Sequence, residues 1–373
     1  MRVILSLILF FASFHAGAII VDIRIFSGDK ISSFIFYPVE GRYQINDLSG
    51  EAITEVRAEH KLQLVLQNNS ILLSKDGILL GSYPAIEIQG KAFWNSFCIA
   101  PLDKGIKPRT YDADLICIPN NGQLKIINRV PIEAYIAGVV RSESGEYATT
   151  EFYKVQATIS RTYALNSLNR HSSEGFHLCD QVHCQAYYGN SRFPKIIQAV
   201  DASRGDAIVD SSGRYITAAF HASCGGQTVN SEDVWTAAMP YLRARPDTFC
   251  SHHPASSWEK AFPKKYFLDY LAQKFKFFPD SATLVSLSQS NRRIFLDSLN
   301  RIPLKTVRND LGLRSTFFSI SLSNDSIFLK GKGYGHGVGL CQIGAMRMAE
   351  LGFTYAEIIA FYYFHTFIKP SDE

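Results

Sequence analysis

The chain has 373 residues, of which 46% are hydrophobic, and its formal net charge is +4. This length is enough for about two domains with a sizeable core. The weak positive charge, without a long block of Lys or Arg, argues against nucleic acid as a partner and is compatible with a neutral or mildly acidic polymer.

The N-terminus has the pattern of a secretory signal. Arg2 precedes an apolar run, and the small residues Ala16 and Ala18 form an Ala-x-Ala cleavage site. A membrane anchor is the alternative, but the apolar run is short for one. The sequence therefore predicts that residues 1–18 are removed. The mature protein is expected in the periplasm or cell envelope, peripheral to the membrane at most.

Residues 19–127 are predicted to form a β-rich N-terminal domain. Short segments rich in Ile, Leu, Val, Phe and Tyr are separated by turns that contain Gly, Asn, Asp or Pro. The alternation of period two in VDIRIF and KLQLVLQ is typical of strands with one buried face. The other segments predicted as strands are SSFIFYPV, ILLGSY, ADLICI and LKIIN.

At Val130 the pattern becomes helical. PIEAYIAGVV has Pro131 in its first turn, and a second helix is predicted to begin at Thr149, which can cap it. That helix carries apolar residues at three- and four-residue steps. Residues 128–373 are predicted to be a mixed helical and β domain, so the fold class is α+β.

Further along the chain, residues 207–223 are predicted to form a β-hairpin with Gly213 in its turn. FPKKYFLDYLAQKFKFF and CQIGAMRMAELG are predicted helices. Thr354 and Glu357 form a capping box at the start of a last helix.

A candidate acid follows the first predicted helix. Glu143 lies beside apolar residues, where desolvation favours the neutral form that a general acid needs. From the residues alone, a solvated charge at a helix end is the alternative. Glu146 is a second carboxylate that would permit hydrolysis, and we interpret it as a solvated neighbour. Lys154 and Arg161 share one face of the next helix, whereas Gln156 lies elsewhere around it.

Histidines and cysteines cluster after this helix, at His171, His177, Cys179, His183 and Cys184. Thiolates and imidazoles suit tetrahedral zinc. A disulfide between Cys179 and Cys184 in an oxidising compartment is the alternative. Four protein ligands would make the zinc structural, whereas three ligands and a bound water would support a zinc hydrolase. The chain has seven cysteines, an odd number, so at least one is free, metal-bound or paired elsewhere.

The order of these motifs along the chain, from Glu143 to the His/Cys cluster, resembles that of the stage II sporulation protein D family of peptidoglycan lytic transglycosylases. Glu143 matches the catalytic glutamate of the family, and KVQA (154–157) and RTYA (161–164) follow it at the family's spacing. Ser144 and Gly145 stand where the family has Met-Pro. The similarity covers roughly residue 129 to the C-terminus and extends weakly into the β-rich half.

Two glycine-containing segments extend the resemblance. FHASCGGQTVNSEDVW (220–235) and GYGHGVGLCQIGA (333–345) are similar to family motifs, with Cys where Ser is usual. Glycine-rich loops let main-chain groups approach a ligand closely. The substrate-binding residues that we infer with this resemblance are Lys154, Gln156, Arg161, Tyr163, Ser223, His336 and Gln342.

The resemblance also implies a metal site and an activity. Cys179, His183 and Cys184 match its zinc ligands, and His171 is preferred over His177 as the fourth, in a structural site. The activity implied is cleavage of peptidoglycan glycan strands to 1,6-anhydro-N-acetylmuramic acid ends, for which one acid suffices because the nucleophile belongs to the substrate. Most glycosidases use two carboxylates. The alternatives are a non-catalytic amidase enhancer, which would assist a wall amidase, and a zinc-dependent wall hydrolase.

Overall fold

A computed structural model describes residues 18–92, 94–235, 237–250, 253–297 and 299–370. Residues 1–17 of the predicted signal lie outside the described residues. The chain divides into two compact units, which within the described residues are 18–135 with 171–181, and 136–170 with 182–370. In the described part of the chain, no helix has the length and apolar character needed to cross a membrane.

The first unit is β-rich, as predicted. Its strands are β1 (Ile20–Ile25), β2 (Ser33–Glu40), β3 (Tyr43–Asn46), β4 (Ala52–Val56), β5 (Leu62–Gln67), β6 (Ser70–Lys75), β7 (Ile78–Tyr83), β8 (Ile86–Gly90), β9 (Ser96–Pro101), β10 (Arg109–Asp112), β11 (Asp114–Asn120), β12 (Gln123–Pro131) and β13 (Leu178–Cys179).

These strands form two sheets, with the orders β13-β1-β12-β11-β8-β3-β4 and β10-β9-β2-β5-β6-β7. In β1, Val21, Ile23 and Ile25 are buried, so the alternation seen in the sequence marks the inner face. Tyr43 of the first sheet contacts Phe36 of the second, with ring centroids 5.3 Å apart. Aromatic pairs of this kind join the two sheets into one core.

The segments predicted as strands form β1, β2, β5, β7, β11 and β12. The sequence did not single out β3, β4, β6, β8, β9 and β10. A short strand with polar residues shows little of the apolar alternation that indicates a strand in the sequence, as in β4, which includes Thr54 and Glu55. The predicted domain boundary at residues 127 and 128 lies inside β12.

Helices predominate after β12. They are α1 (Ile132–Ser144), α2 (Thr150–Asn166), α3 (Pro194–Ala202), α4 (Ser231–Val234), α5 (Lys264–Phe275), α6 (Ser281–Ser286), α7 (Leu304–Asp310), α8 (Gln342–Glu350) and α9 (Tyr355–Tyr362). The remaining strands are β14 (Asp206–Val209), β15 (Phe220–His221), β16 (Ser257–Pro263), β17 (Phe317–Leu322), β18 (Ser326–Lys332), β19 (Leu340–Cys341) and β20 (Phe367–Pro370). The α+β class is confirmed.

Helix α2 is central to the second unit. Thr149 caps it by accepting a hydrogen bond from the backbone N–H of Phe152 at 3.3 Å, as predicted. Phe152, Val155 and Ile159 are fully buried, and the helix packs against α3, β14, α8 and α9. Each such side chain stabilises the fold by roughly 1.5–3 kcal/mol, so α2 is a fixed support for the helices around it.

Two other predicted helices are confirmed at the end of the chain. CQIGAMRMAELG forms α8, and Thr354 caps α9 with Glu357 in a complete capping box. The predicted helix after Pro263 is α5, whose Phe267 and Leu271 pack into a separate core with β16, β17 and β18.

The segment 207–223 corrects the predicted hairpin. Its turn forms, with Gly213 at φ 81 and Val209 bridged to Tyr215. The second flank does not continue as a partner of β14. Instead β15 pairs in parallel with β19, and β14 pairs with β20. Distant strands supply these hydrogen bonds, which local alternation could not reveal.

Candidate active site and glycine-rich loops

Glu143 lies in the last turn of α1, which is held against the segment 186–190. The backbone N–H of Ala186 donates to Glu143 Oε1 at 2.9 Å. Ser142 Oγ accepts from the backbone N–H of Tyr188 at 3.1 Å and donates to a carbonyl one turn earlier in the helix. The end of α1 therefore fixes the position of the carboxyl group.

A glycine allows this close approach. A Cβ at Gly138 would strike the carbonyl oxygen of Gly189 and the ring of Tyr187. Arg141 Nη1 donates to the carbonyl of Asn190 at 3.1 Å. Because protein interiors are closely packed, a side chain at this position would push the segment away from α1.

The environment of Glu143 favours its neutral form. Desolvation raises the pKa of the half-buried carboxyl, and the hydrogen bond from Ala186 lowers it by less. The negative end of the α1 dipole acts in the same direction as desolvation. Within the described chain, the second carboxylate oxygen has no hydrogen bond from the protein. A carboxyl group of this kind can give a proton to a ligand.

Glu146 has a different environment. Its Oε1 accepts from Arg141 Nε at 2.9 Å in an ion pair at the surface. The pairing compensates its charge and occupies one of its oxygens. This contact gives no support to Glu146 as a second catalytic carboxylate.

The predicted positioning groups on α2 have protein partners. Lys154 Nζ donates to Glu151 Oε1 at 2.7 Å. Arg161 is fully buried, and its Nη1 donates to the carbonyl of Asp206 at 2.9 Å. Within the described chain, neither side chain is hydrogen-bonded to Glu143. Both contacts stabilise α2 in its surroundings.

Gln156 and Gln342 are brought together, although they are 186 residues apart in sequence. Gln342 Nε2 donates to Gln156 Oε1 at 3.2 Å, and Gln156 Nε2 donates to Ser160 Oγ at 3.3 Å. Both glutamines are buried. The pair links α2 to the start of α8.

The two glycine-containing motifs lie side by side. Ser223 and Tyr334 exchange backbone hydrogen bonds of 3.0 and 2.8 Å, next to the parallel pair of β15 and β19. A Cβ at Gly225, which has φ 69, would lie 2.7 Å from the backbone N of Gly333. Ser223 itself is buried, and its hydroxyl donates to Ser256 Oγ at 3.0 Å.

His336 lies at a cleft in this region. Its Nδ1 accepts from the backbone N–H of Val338 at 3.0 Å, and its ring centroid lies 5.4 Å from that of Trp235 and 5.5 Å from that of His221. Desolvation, together with the charge of Arg308, lowers the pKa of His336 to about 4. The ring is therefore neutral near pH 7.

Cationic residues line the same cleft, and the sequence did not reveal them. Arg292, Arg293, Lys305 and Arg308 are on its wall with His336. Trp235, beside His336, had a signal in the Glu-Asp-Val-Trp run. The cationic residues had no such signal in the sequence, because it is the tertiary fold that brings them from the region of α7 to the glycine-rich loop.

The predicted zinc ligands divide between the two units. In the first, His171 Nδ1 lies 2.6 Å from Glu174 Oε1, Cys179 is buried in β13, and His177 Nδ1 accepts from the backbone N–H of Asp22 at 2.9 Å. That bond occupies Nδ1 of His177, just as the contact with Glu174 engages Nδ1 of His171, so these contacts do not distinguish the two histidines as the fourth ligand.

In the second unit, His183 and Cys184 present adjacent donor atoms. His183 Nδ1 and Cys184 Sγ are 3.7 Å apart. The hydroxyl of Tyr163 donates to the carbonyl of His183 at 3.4 Å. Cys184 is two residues before Ala186, so this pair adjoins the segment that contacts Glu143.

Comparison with known proteins agrees with the motifs. A family model described as stage II sporulation protein matches residues 120–209. Residues 120–209 of the chain are therefore similar to a stage II sporulation protein domain. The resemblance inferred from the sequence is thereby confirmed. The matched span contains Glu143, α2 and the predicted zinc ligands, whereas Ser223, His336 and Gln342 lie beyond it.

Curated relatives extend the similarity beyond this span. An uncharacterized protein of Brachyspira hyodysenteriae is 28% identical over 329 residues, which is 86% of this chain and 82% of that protein. Stage II sporulation protein D of Bacillus subtilis is 29% identical over 66% of this chain and 76% of its own length. An amidase enhancer of Bacillus subtilis is 27% identical over 61% of this chain, but over only 39% of its own length.

Proposed function

We propose that the protein is a lytic transglycosylase that cleaves the glycan strands of peptidoglycan, with Glu143 as general acid and base. The observation that carries the proposal is the state of this carboxyl group. It is half-buried, its pKa is raised, and one of its oxygens has no hydrogen bond from the protein within the described chain. It lies in the part of the chain that matches the family model.

The reaction needs a single acid. Protonated Glu143 gives its proton to the glycosidic oxygen, and the bond from that oxygen to the anomeric carbon of N-acetylmuramic acid breaks. The 6-hydroxyl of the same sugar forms a new bond to the anomeric carbon. Its proton goes to the Glu143 carboxylate, which restores the acid. No water is consumed, and the product carries a 1,6-anhydro ring.

Substrate is held, in this proposal, by groups around the cleft. Neutral His336 and the ring of Trp235 suit the face and hydroxyl groups of a sugar. The cationic side chains beside them, including Arg308, suit the carboxylates of muramic acid and its stem peptide. Lys154, Gln156, Arg161, Tyr163, Ser223 and Gln342 then support the loops and helices that form the site.

Zinc is part of the proposal as a structural ion. The donor set of His171, Cys179, His183 and Cys184 is one that zinc prefers, and the side chains of His183 and Cys184 lie side by side. When bound, zinc would supply a closed, four-coordinate centre without chemistry of its own. The residues would thereby hold the turn that leads to Ala186, whose N–H orients Glu143.

The proposed location is the cell envelope, where peptidoglycan strands are present. The predicted signal at residues 1–18 would direct export. The similarity to a stage II sporulation protein D and to an amidase enhancer supports this proposed location.

A second function is favoured by one of these relatives. The similarity to an amidase enhancer supports a protein that binds wall polymer and assists an amidase without cleaving glycan itself. In that case Glu143 would have no catalytic task.

One experiment separates these functions. The purified mature chain is incubated alone with isolated glycan strands, and the product ends are identified by mass spectrometry. A transglycosylase gives 1,6-anhydro ends, which are lighter than hydrolysed ends by one water, and Glu143→Gln gives none. Ordinary reducing ends would indicate hydrolysis. Intact strands, with cleavage of stem peptides only when an amidase is added, would indicate an enhancer.

A further inference from the structure

A second group of metal-ligating side chains lies inside the second unit. The side chains of Cys224, Asp247, Cys250 and Cys341 are fully buried, and their sulfur and carboxylate atoms all lie within 4.8 Å of one another. Cys224 Sγ is 3.0 Å from Cys250 Sγ and 3.2 Å from Asp247 Oδ2. We propose that these four side chains bind one zinc ion, at a site separate from the predicted His/Cys site.

The types and number of donors suit zinc. Zinc in structural sites is bound by four ligands, most often thiolates, imidazoles and carboxylates, in a tetrahedral arrangement. Three thiolates and one carboxylate make such a set, and the sulfur-rich composition disfavours magnesium or calcium. On binding, each thiol releases its proton to solvent as its sulfur coordinates the ion.

Backbone groups are already directed at the sulfurs. The N–H of Cys224 donates to Cys341 Sγ at 3.2 Å, and the N–H of Gly344 donates to the same sulfur at 3.4 Å. The N–H of Gly226 donates to Cys224 Sγ at 3.4 Å. Cys341 is also the N-cap of α8, where the helix dipole favours negative charge. These donors stabilise thiolates, which are the form that binds metal.

The carboxylate is also held in place. The hydroxyl of Tyr362 donates to Asp247 Oδ2 at 2.8 Å, and the N–H of Phe249 donates to Oδ1 at 3.0 Å. A Cβ at Gly344 would strike the Tyr362 hydroxyl and would lie 2.5 Å from Asp247 Oδ2. Outer hydrogen bonds of this kind orient metal ligands, so Tyr362 and Gly344 form the support of the site.

Charge also favours a cation at this position. Three thiolates and one carboxylate carry four negative charges, and zinc lowers the total to two. Arg292 adjoins the site, with its Nη2 donating to the carbonyl of Cys224 at 2.6 Å. A disulfide between Cys224 and Cys250 would use two of the four groups and leave Asp247 and Cys341 buried without a metal, at the cost of a desolvated carboxyl.

The site joins three separate parts of the chain. Cys224 follows β15, Asp247 and Cys250 lie at the start and end of the short segment 247–250, and Cys341 is the N-cap of α8. Four protein ligands leave no open position, so the ion is structural. It would hold the glycine-rich loop beside β15, and with it the adjacent residue Gln342.

Metal analysis tests the proposal. The full mature chain carrying Cys179→Ser and Cys184→Ser, which remove the other predicted site, is loaded with zinc sulfate and freed of excess metal by gel filtration. We expect one zinc per chain. Adding Cys250→Ser should abolish this zinc, whereas adding Cys117→Ser, a buried cysteine in β11, should retain it. With cobalt in place of zinc, only the chain that retains Cys250 should show a thiolate charge-transfer band.

Three results would overturn the proposal: no zinc in the doubly substituted chain, zinc unaffected by Cys250→Ser, or a peptide map in which Cys224 is joined to Cys250. If the substituted chains do not fold, measurements on the wild-type chain test the proposal. Zinc X-ray absorption should then show sulfur-rich coordination, and alkylation in denaturant with chelator should modify all seven cysteines. Two fewer modified cysteines, with Cys224 and Cys250 linked, would establish the disulfide instead.

Discussion

Two carboxyl groups of the second unit, those of Glu143 and Asp247, differ in burial and in the number of hydrogen bonds that they accept, and this difference separates a candidate catalytic acid from a structural one. Glu143 is half-buried, accepts one hydrogen bond and keeps an oxygen free of protein donors within the described chain. Asp247 is fully buried, and both its oxygens accept hydrogen bonds from Phe249, Tyr362 and Cys224. An acid that remains accessible can exchange a proton with a substrate, whereas an enclosed acid can only hold its surroundings or a cation.

Removing the accessible acid should have the largest effect. Glu143→Gln keeps the size and polarity of the side chain but cannot transfer a proton. We expect glycan cleavage to fall by about 10²–10⁴-fold, the usual contribution of general acid–base catalysis. The measurement is the initial rate of release of soluble glycan fragments.

Glu146→Gln is the matched control, because Glu146 is three residues away and paired with Arg141 at the surface. Its rate should stay within a few-fold of wild type. Equal losses in both variants would contradict the assignment of the acid to Glu143 alone.

Removing the enclosed acid should reduce stability. Asp247→Ala leaves the Tyr362 hydroxyl and the Phe249 N–H without their buried acceptor. We expect the free energy of unfolding to fall by about 2–4 kcal/mol. Urea unfolding measures it, with Glu143→Gln as the control that should unfold close to wild type. A stable Asp247→Ala chain would show that these bonds contribute little.

Two glycines in helices that contact the acids or their supports extend the comparison, with Gly138 in α1 and Gly344 in α8. A Cβ at Gly138 would strike Gly189 near Glu143, and a Cβ at Gly344 would strike Tyr362 near Asp247. Each substitution by Ala should cost about 1–3 kcal/mol of stability through overpacking.

The two variants should differ in activity when assayed well below their unfolding transitions. Gly138→Ala displaces the segment that orients Glu143, so its rate should fall beyond what its folded fraction explains. Gly344→Ala should keep the rate expected from its folded fraction. A larger loss of rate in Gly344→Ala than in Gly138→Ala would place the reacting groups near α8 rather than α1.

The smallest effect concerns pH. Because the folded-state pKa of Glu143 is raised, its protonated form favours the folded state. Its contribution to stability is complete below the unfolded pKa and is lost as pH rises through the folded pKa. The wild type should therefore lose stability relative to Glu143→Gln over that interval, and cleavage should decline with the same titration. A constant difference between the two chains across pH would contradict the raised pKa.

Local patterns in the sequence determined several strands and helix starts of this protein. Alternating apolar residues predicted β1 and β5, and Thr149 and Thr354 predicted the starts of α2 and α9. These features depend on residues a few positions apart, so a linear reading detects them. The motifs around Glu143 likewise indicate a resemblance to the stage II sporulation protein D family, and the family model that matches residues 120–209 confirms this resemblance.

Only the tertiary structure decided which distant residues meet. Cys224 and Cys341 are 117 residues apart in sequence, and Gln156 and Gln342 are 186 apart, yet each pair is in contact. The pairing of β15 with β19 likewise limits the predicted hairpin at 207–223 to its turn and the residues next to it. Such contacts arise because hydrogen-bonding edges and buried faces are satisfied across the whole unit, and a local segment carries no record of which distant partner will satisfy them.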